Sequence, residues 1–256
     1  RLKFARKVSS GKLKELVFAE GFRLAAEVLR SKVKALEAFT SDSFYAGKEA
    51  FIDQLLERGI LVSRVADDVF RTISMTPSPQ GIILISEKPE VGARRIEERL
   101  LATALPNPLV VLLHKINNPS NLGAIFRTAE AVGVAGVIIS GSSTSAFSPK
   151  ALRGSMGASL RIPVWENASF EKALKWGSQT GLTTTCADVN AEQTLWDSDW
   201  KKGRLLVFGS EANGLSPEEF AMIEEQVYIP MENGVESLNL AVSSALFLYE
   251  YKRQSI

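Results

Sequence analysis

The chain has 256 residues, 45% hydrophobic and 23% charged, a balance that excludes disorder or a fibre as a description of the whole. One cysteine, Cys186, and one histidine, His114, exclude an internal disulfide, a multi-cysteine metal site and a two-histidine zinc site, so no metal is expected. A net charge of +1 argues against a general affinity for nucleic acid, and no apolar run is long enough to cross a bilayer.

The charge is unevenly spread. Arg1 to Pro106 carries 18 basic and 14 acidic residues, the remainder 12 and 15. Arg1, Lys3, Arg6, Lys7, Lys12 and Lys14 all precede the first acid, Glu15. They read as a basic arm able to bind phosphates, or more blandly as a solvated tail. No intact signal peptide is visible, which reads as cytoplasmic, or organellar if a targeting segment has been removed.

In chain order, Leu16–Leu36 has roughly helical apolar spacing and predicts one helix. Ala50–Arg58 predicts a second, ended by Gly59. Met75–Gly81 is a turn-rich loop, Gly81–Ser86 a buried strand, and Glu87–Leu105 a charge-rich, partly helical connector. After Pro106 short apolar runs alternate with helical patterns. Strands are predicted at Leu109–Leu113, Gly136–Ser140, Leu182–Ala187, Leu205–Phe208 and Val227–Ile229. Helices are predicted at Asn121–Val132, Ser148–Gly157, Phe170–Gly177 and Ser237–Arg253. This alternation predicts an α/β fold, a mostly parallel sheet with helices on both faces. The expected division is a first domain over 1–95, including the arm and part of the connector, and a second over 106–256.

Ligands of such sheets sit beyond the carboxyl ends of the strands, which directs attention to three loops. His114–Gly123 packs amides, a proline and a glycine ahead of a helix. There Asn121 can cap the helix, and Arg127, about 120° further round the axis, can border the same pocket and grip a phosphate. Phe208-Gly-Ser-Glu-Ala-Asn-Gly-Leu-Ser216 sets two glycines around Glu211 directly after a strand. It is neither a dinucleotide fingerprint nor a P-loop, and its acid would repel a pyrophosphate. Ile229–Ala241 leads into the last helix, with Ser237 and Asn239 at capping positions. Taken singly, each loop is also explained as a cap or a sharp turn.

Taken together they resemble the motifs of the SpoU (TrmH-like) family of RNA 2′-O-ribose methyltransferases, in the SPOUT class. The first motif corresponds to Asn118–Ala129, the second to Val207–Gly214, and the third to Ile229-Pro-Met followed by Glu236–Ala245. The resemblance implies a trefoil-knotted, parallel-sheet catalytic domain, bent S-adenosylmethionine against the knotted loops, and a homodimer completing the site. Glu20-Gly-Phe-Arg23 and Ser78–Ile82 resemble the small α/β ribosomal-protein-like domain that binds substrate in this family. Position by position, Asn121, Arg127, Glu211, Ser237 and Asn239 fall on catalytic or substrate residues. Gly209, Ile229, Leu238, Ala187 and Met231 fall among those that hold the cofactor. Two departures stand out: His114 where relatives often have Asp, and Ala212 where many have Gly.

The implied function is methylation of a ribose 2′-hydroxyl in RNA, ribosomal RNA first and transfer RNA second. A catalytically silent RNA-binding assembly factor and a nucleotide-dependent oxidoreductase are the competing classes. The intact polar residues count against the first, and the missing dinucleotide fingerprint against the second. Arg127 suits phosphate positioning; its very high pKa fits poorly with taking the hydroxyl proton. Ser237 or Asn239 could orient that hydroxyl instead. His114 and Cys186 read as structural residues.

Overall fold

A computed structural model describes residues 1–255; Ile256, the end of the expected second domain, lies outside the described residues. The elements begin α1 (Leu2–Ser9), β1 (Leu16–Glu20), α2 (Phe22–Arg30), β2 (Ala35–Ser41), α3 (Asp42–Gly47), α4 (Glu49–Glu57), β3 (Leu61–Val65), α5 (Asp67–Arg71) and β4 (Ile82–Glu87). They continue α6 (Ala93–Thr103), β5 (Leu109–His114), α7 (Pro119–Val132), β6 (Gly136–Ser140), α8 (Pro149–Gly154), β7 (Val164–Ala168), α9 (Phe170–Gln179) and β8 (Thr183–Ala187). The chain ends β9 (Gln193–Thr194), β10 (Arg204–Phe208), α10 (Pro217–Phe220), β11 (Glu225–Tyr228) and α11 (Leu240–Gln254).

Two compact units result. The first joins Arg1–Pro89 to Phe147–Arg161; the second takes Glu90–Ala146 and the chain from Ile162 onward. The connector helix α6 therefore belongs with the second unit, where it packs on β7. The segment carrying α8 belongs with the first, where it packs on β1.

The first unit is built on a mixed sheet in the order β1-β4-β2-β3. Strand β4 runs antiparallel to both neighbours, and β2 parallel to β3. The single helix expected over Leu16–Leu36 is instead a strand, a helix and the approach to β2. Leu16-Val-Phe-Ala-Glu20 is buried on both faces, so its apolar run never alternates and mimics helical spacing. Gly21, at φ +106°, breaks the chain between the two elements. The basic arm is not free either. It forms α1, whose Ala5 and Val8 are buried in a core with Phe18, Phe39 and Phe70. Arg1 pairs with Glu37 at 2.8 Å, while Lys3, Lys7, Lys12 and Lys14 remain exposed. The loop after α5 is pinned by the buried Glu20 carboxylate. It accepts from the Ser74 hydroxyl, from the Thr76 hydroxyl at 2.7 Å and from the Met75 amide at 2.8 Å.

The second unit is a seven-stranded sheet in the order β7-β6-β5-β10-β8-β11-β9, every pair parallel. Strands β5 and β10 are buried throughout, as central strands covered on both faces must be. From β5 the chain builds outward through β6 and β7, then returns on the other side. The order thus reverses beside β5 and β10, where α/β sheets open a ligand crevice. Helices α7 and α11 pack against each other. The last helix begins at Leu240 rather than at Ser237, so Ser237 and Leu238 are loop residues. No helix among the described residues is long and apolar enough to cross a membrane.

Candidate active site

A cavity of about 560 Å³ opens at the carboxyl ends of β8, β10 and β11. Its lining includes Asn121, Glu211, Ser237 and Asn239, and also Ala187, Gly209, Ile229, Met231 and Leu238. Residues far apart in sequence therefore meet, and local structure explains each placement.

In the first loop the helix cap is Asn118, not Asn121. The Asn118 side chain accepts from the Ser120 amide at 2.9 Å, and Pro119 opens α7 without an amide to satisfy. Asn121, released from capping, lies within the first turn, 9% exposed, with its amide turned to the other loops. The second loop closes on itself: the Ser210 and Gly214 backbones exchange hydrogen bonds of 2.9 and 3.1 Å. This crossing explains Gly209, because a Cβ there would stand 2.4 Å from the Gly214 carbonyl carbon. The glycine is thus demanded by the loop itself, whatever the cavity holds. In the third loop the Asn239 oxygen caps α11, accepting from the Ala241 amide at 2.9 Å.

These three loops are tied by one polar chain, and its orientation follows from who can donate. With its oxygen given to the helix, Asn239 turns its nitrogen to the Asn121 oxygen at 3.2 Å. Asn121 then presents its own nitrogen to Glu211 at 3.3 Å, and an ionised carboxylate can only accept. Glu211 also accepts from the backbone amides of Asn117, at 3.3 Å, and Asn118, at 3.1 Å. Burial would raise its pKa, but amide donors from its own backbone, Asn117, Asn118 and Asn121 outweigh that and hold it below the usual range. Glu211 is an anion committed to building the site, not a proton acceptor.

Arg127 is not brought to this cavity. It lies exposed on α7, outside the lining, and makes no hydrogen bond or ion pair among the described residues. Ser237 lines the cavity, exposed, with its hydroxyl in no hydrogen bond among the described residues. His114 is buried behind the loops, with Nδ1 2.7 Å from the Ser140 hydroxyl and Nε2 2.9 Å from Glu219. Lys115 reaches the same Glu219 oxygen at 2.6 Å. Burial lowers the His114 pKa against the pull of Glu219, so a neutral ring joins β5, β6 and α10. Cys186 is buried in β8, its thiol pushed up to about 12 by burial and then by Asp188. Neither residue faces the cavity.

Sequence reasoning passed over Asp188 and Glu236, both in the lining. Asp188 directly follows β8 at its carboxyl end, a position that the strand-end rule could have nominated. With Glu211 they give the lining three carboxylates, and among the described residues it contains no Lys, Arg or His. Such a wall opposes a pyrophosphate and favours a cationic ligand.

Residues 108–249 match the family model described as the SpoU rRNA methylase family. Residues 18–92 match the model described as RNA 2′-O ribose methyltransferase substrate binding. The chain is 32% identical over 203 residues to an uncharacterized tRNA/rRNA methyltransferase of Synechocystis, covering 79% of this chain and 71% of that protein. It is 28% identical to the 23S rRNA (guanosine(2553)-2′-O)-methyltransferase of Bacillus subtilis, covering 91% of this chain and 87% of that protein. Among solved structures, an AdoMet-bound rRNA methyltransferase from Sinorhizobium meliloti superposes with a TM-score of 0.82 at 26% identity, covering 98% of this chain and 94% of that one. With more than half its length matched by that first model, and the motif residues of all three loops gathered at one cavity, the chain belongs to the SpoU rRNA methylase family.

Proposed function

We propose that this protein transfers a methyl group from S-adenosylmethionine to a ribose 2′-hydroxyl of RNA, with ribosomal RNA as the substrate class. The observation that carries the reading is the Glu211–Asn121–Asn239 chain, which locks three distant loops around one cavity. The lining suits the cofactor. Val207, Phe208, Ile229, Met231 and Leu238 offer apolar surface, and the three carboxylates match a sulfonium cation. When bound, S-adenosylmethionine supplies an electrophilic methyl group for in-line displacement.

The chain's own groups divide the remaining work. Leu238 and Ile229 wall the cavity; Asn121, Asn239 and Glu211 fix its loops. Asn239 gives its oxygen to the helix cap and one N–H to Asn121, whereas the Ser237 hydroxyl makes no hydrogen bond among the described residues, so Ser237 is the residue assigned to orient the substrate hydroxyl. Alignment of this kind is where such a displacement gains most. Arg127, outside the cavity and without an ion pair among the described residues, holds a phosphate of the target strand through its planar fork.

The first unit is read as the RNA-binding domain, in keeping with its surplus of exposed lysines. A homodimer is proposed through α11. That helix leaves Val242 and Tyr249 52% and 56% exposed, two turns apart, with Ala245 and Leu246 half-buried between them. The family's trefoil knot and a cytoplasmic location belong to the same reading.

The test is a calorimetric titration of S-adenosylmethionine into the wild type, Leu238→Arg and Arg127→Ala. Leu238 is 36% exposed, so the arginine adds bulk and positive charge to the wall without opening the core. Binding is expected in the wild type and in Arg127→Ala, and at least tenfold weaker in Leu238→Arg. No wild-type binding, or equal binding in all three, overturns the assignment. Mapping of 2′-O-methyl groups in ribosomal and transfer RNA from cells lacking the protein then identifies the substrate.

A further inference from the structure

The first unit contains a second concavity, of about 350 Å³, bounded by α3, α5 and the loop before β4. Its floor is fixed by Gly81 at φ +80°, where a Cβ would stand 2.6 Å from the Ser41 hydroxyl and 2.7 Å from the Phe44 Cβ. Phe44 and Phe70 give it buried aromatic walls, and Pro79 a part-exposed edge. The lining also holds two exposed cations, Lys48 and Arg71, neither in an ion pair among the described residues, although the Arg71 charge acts on Asp67. The Lys48 ammonium is held 5.1 Å from the centre of the Phe22 ring.

The polar groups of the lining are partly committed, which defines what they can still bind. Asp67 Oδ1 accepts from the Ser43 hydroxyl at 2.8 Å and the Ser43 amide at 3.3 Å, and no hydrogen bond among the described residues ends on Oδ2. The Ser43 hydroxyl first, then the Ser41 hydroxyl, the Ser43 amide and the charge of Arg71 hold Asp67 below its ordinary value, so it stays charged. Gln80 Oε1 accepts from the Phe22 amide at 2.9 Å, which leaves its nitrogen free to donate. The Asp67 carboxylate repels a phosphate, while Lys48 and Arg71 in the same lining attract one. An unpaired nucleotide satisfies both demands, base inside and phosphodiester at the edge.

We propose that this pocket, on the reading of the protein as an RNA methyltransferase, binds one unpaired nucleotide of the substrate and selects guanine through Asp67, with the flanking phosphates on Lys48 and Arg71. The choice of base follows from the carboxylate, which only accepts. Guanine alone presents two adjacent donors, N1–H and the N2 amino group, on its pairing edge. The donors of adenine, cytosine and uracil stand beside ring nitrogens or carbonyl oxygens that repel an anion. The free Gln80 nitrogen has a partner in guanine O6.

The experiment titrates guanosine, inosine and adenosine 5′-monophosphates into the full chain and follows the backbone amide resonances of Ser43, Gln80 and Gly81. Guanosine monophosphate is expected to bind at least fivefold tighter than adenosine monophosphate, with the inosine form, which lacks the amino group, between them. Asp67→Asn keeps the oxygen that Ser43 needs and replaces the other with a donor, so the preference should vanish while the fold persists. Lys48→Ala with Arg71→Ala should weaken binding of a single-stranded oligoribonucleotide at every sequence and lower the salt slope by roughly 1.4, about 0.7 per contact. Equal responses to the three nucleotides, or a preference that survives Asp67→Asn, overturn the proposal. Calorimetry of S-adenosylmethionine on the same samples separates the two readings. Cofactor binding without guanine preference defeats only the pocket, and guanine preference without cofactor binding defeats the methyltransferase reading.

Discussion

The cavity of the second unit and the pocket of the first are both polar, yet they are built in opposite ways. The larger one joins residues 118 positions apart, Asn121 and Asn239, in a chain of amides, and its wall is acidic. The smaller one draws on three short stretches within Ser41–Gly81 and combines two cations with one acid. The difference assigns ligands by charge: a sulfonium belongs in the first and a nucleotide in the second. It also assigns fragility. A site held by long-range hydrogen bonds fails as a whole when one member is lost, whereas a local pocket loses one contact at a time.

The largest effect expected from this contrast is at Glu211. Glu211→Ala removes the acceptor of two exposed backbone amides, which water can replace, and of the part-buried Asn121 side chain, which bears a cost of about 1–3 kcal/mol. Methyl transfer should fall at least about 100-fold, equivalent to about 2.7 kcal/mol. A melting temperature close to wild type would place the damage in the loops. Activity near wild type would break the claim that the polar chain holds the site together.

Asn121→Asp is expected to come next, at about tenfold. It sets a second carboxylate where the Asn121 nitrogen now meets Glu211 at 3.3 Å, and two like charges there resist joint ionisation. The loss should shrink as pH falls toward 5, because one proton shared between the acids restores a donor. A pH profile parallel to wild type would contradict this. Arg127→Ala should be milder and selective. RNA affinity falls a few-fold, the salt slope drops by roughly 0.7 to 0.9, and S-adenosylmethionine binding is unchanged. A loss of cofactor binding would mean that Arg127 does reach the cavity.

These contrasts also mark what the residues disclosed on their own. The three loops were legible because their polar residues cluster tightly after apolar strands, and strand ends are where such sheets bind ligands. Which amide did which job was not legible. Asn118 and Asn121 stand three residues apart in the same run, and only the start of α7 at Pro119 decides that Asn118 caps and Asn121 is free. Likewise Ser237 and Asn239 both suit a cap; the start of α11 at Leu240 gives that role to Asn239 and leaves Ser237 available. In the first unit, β1 was hidden because burial on both faces removes the alternation that identifies a strand. Strands β2 and β3 were missed as well. The first begins at Ala35, inside the expected helix, and its polar Glu37, Thr40 and Ser41 are nevertheless buried.

The smallest predicted effect concerns His114, which joins the strands beneath the cavity without touching it. Its folded pKa lies below the ordinary 6.5, first through burial. Above that value both folded and unfolded chains carry a neutral ring, and stability is independent of this group. As pH falls through 6.5 the unfolded chain gains a proton that the folded ring resists, so stability declines toward the folded pKa. Between pH 6.5 and 5.5 the loss is at most about 1 kcal/mol, since one group changes stability by no more than about 1.4 kcal/mol per pH unit. Glu219, the partner of His114, titrates in a separate window. Burial opposes its charge, but Lys115, the Ser216 amide and His114 together lower its pKa to about 2, so its contribution is lost only as pH falls below about 4.5. Urea unfolding at pH 7.5, 6.5 and 5.5 isolates the histidine. His114→Gln keeps a group able to bond Ser140 or Glu219 but cannot titrate, and its midpoint should be flatter across that range than the wild-type midpoint. Equal slopes in the two proteins would show that the buried ring takes up its proton as readily as the unfolded chain does. The neutral, structural role assigned to His114 would then fail, although the cavity above it would keep its own chemistry.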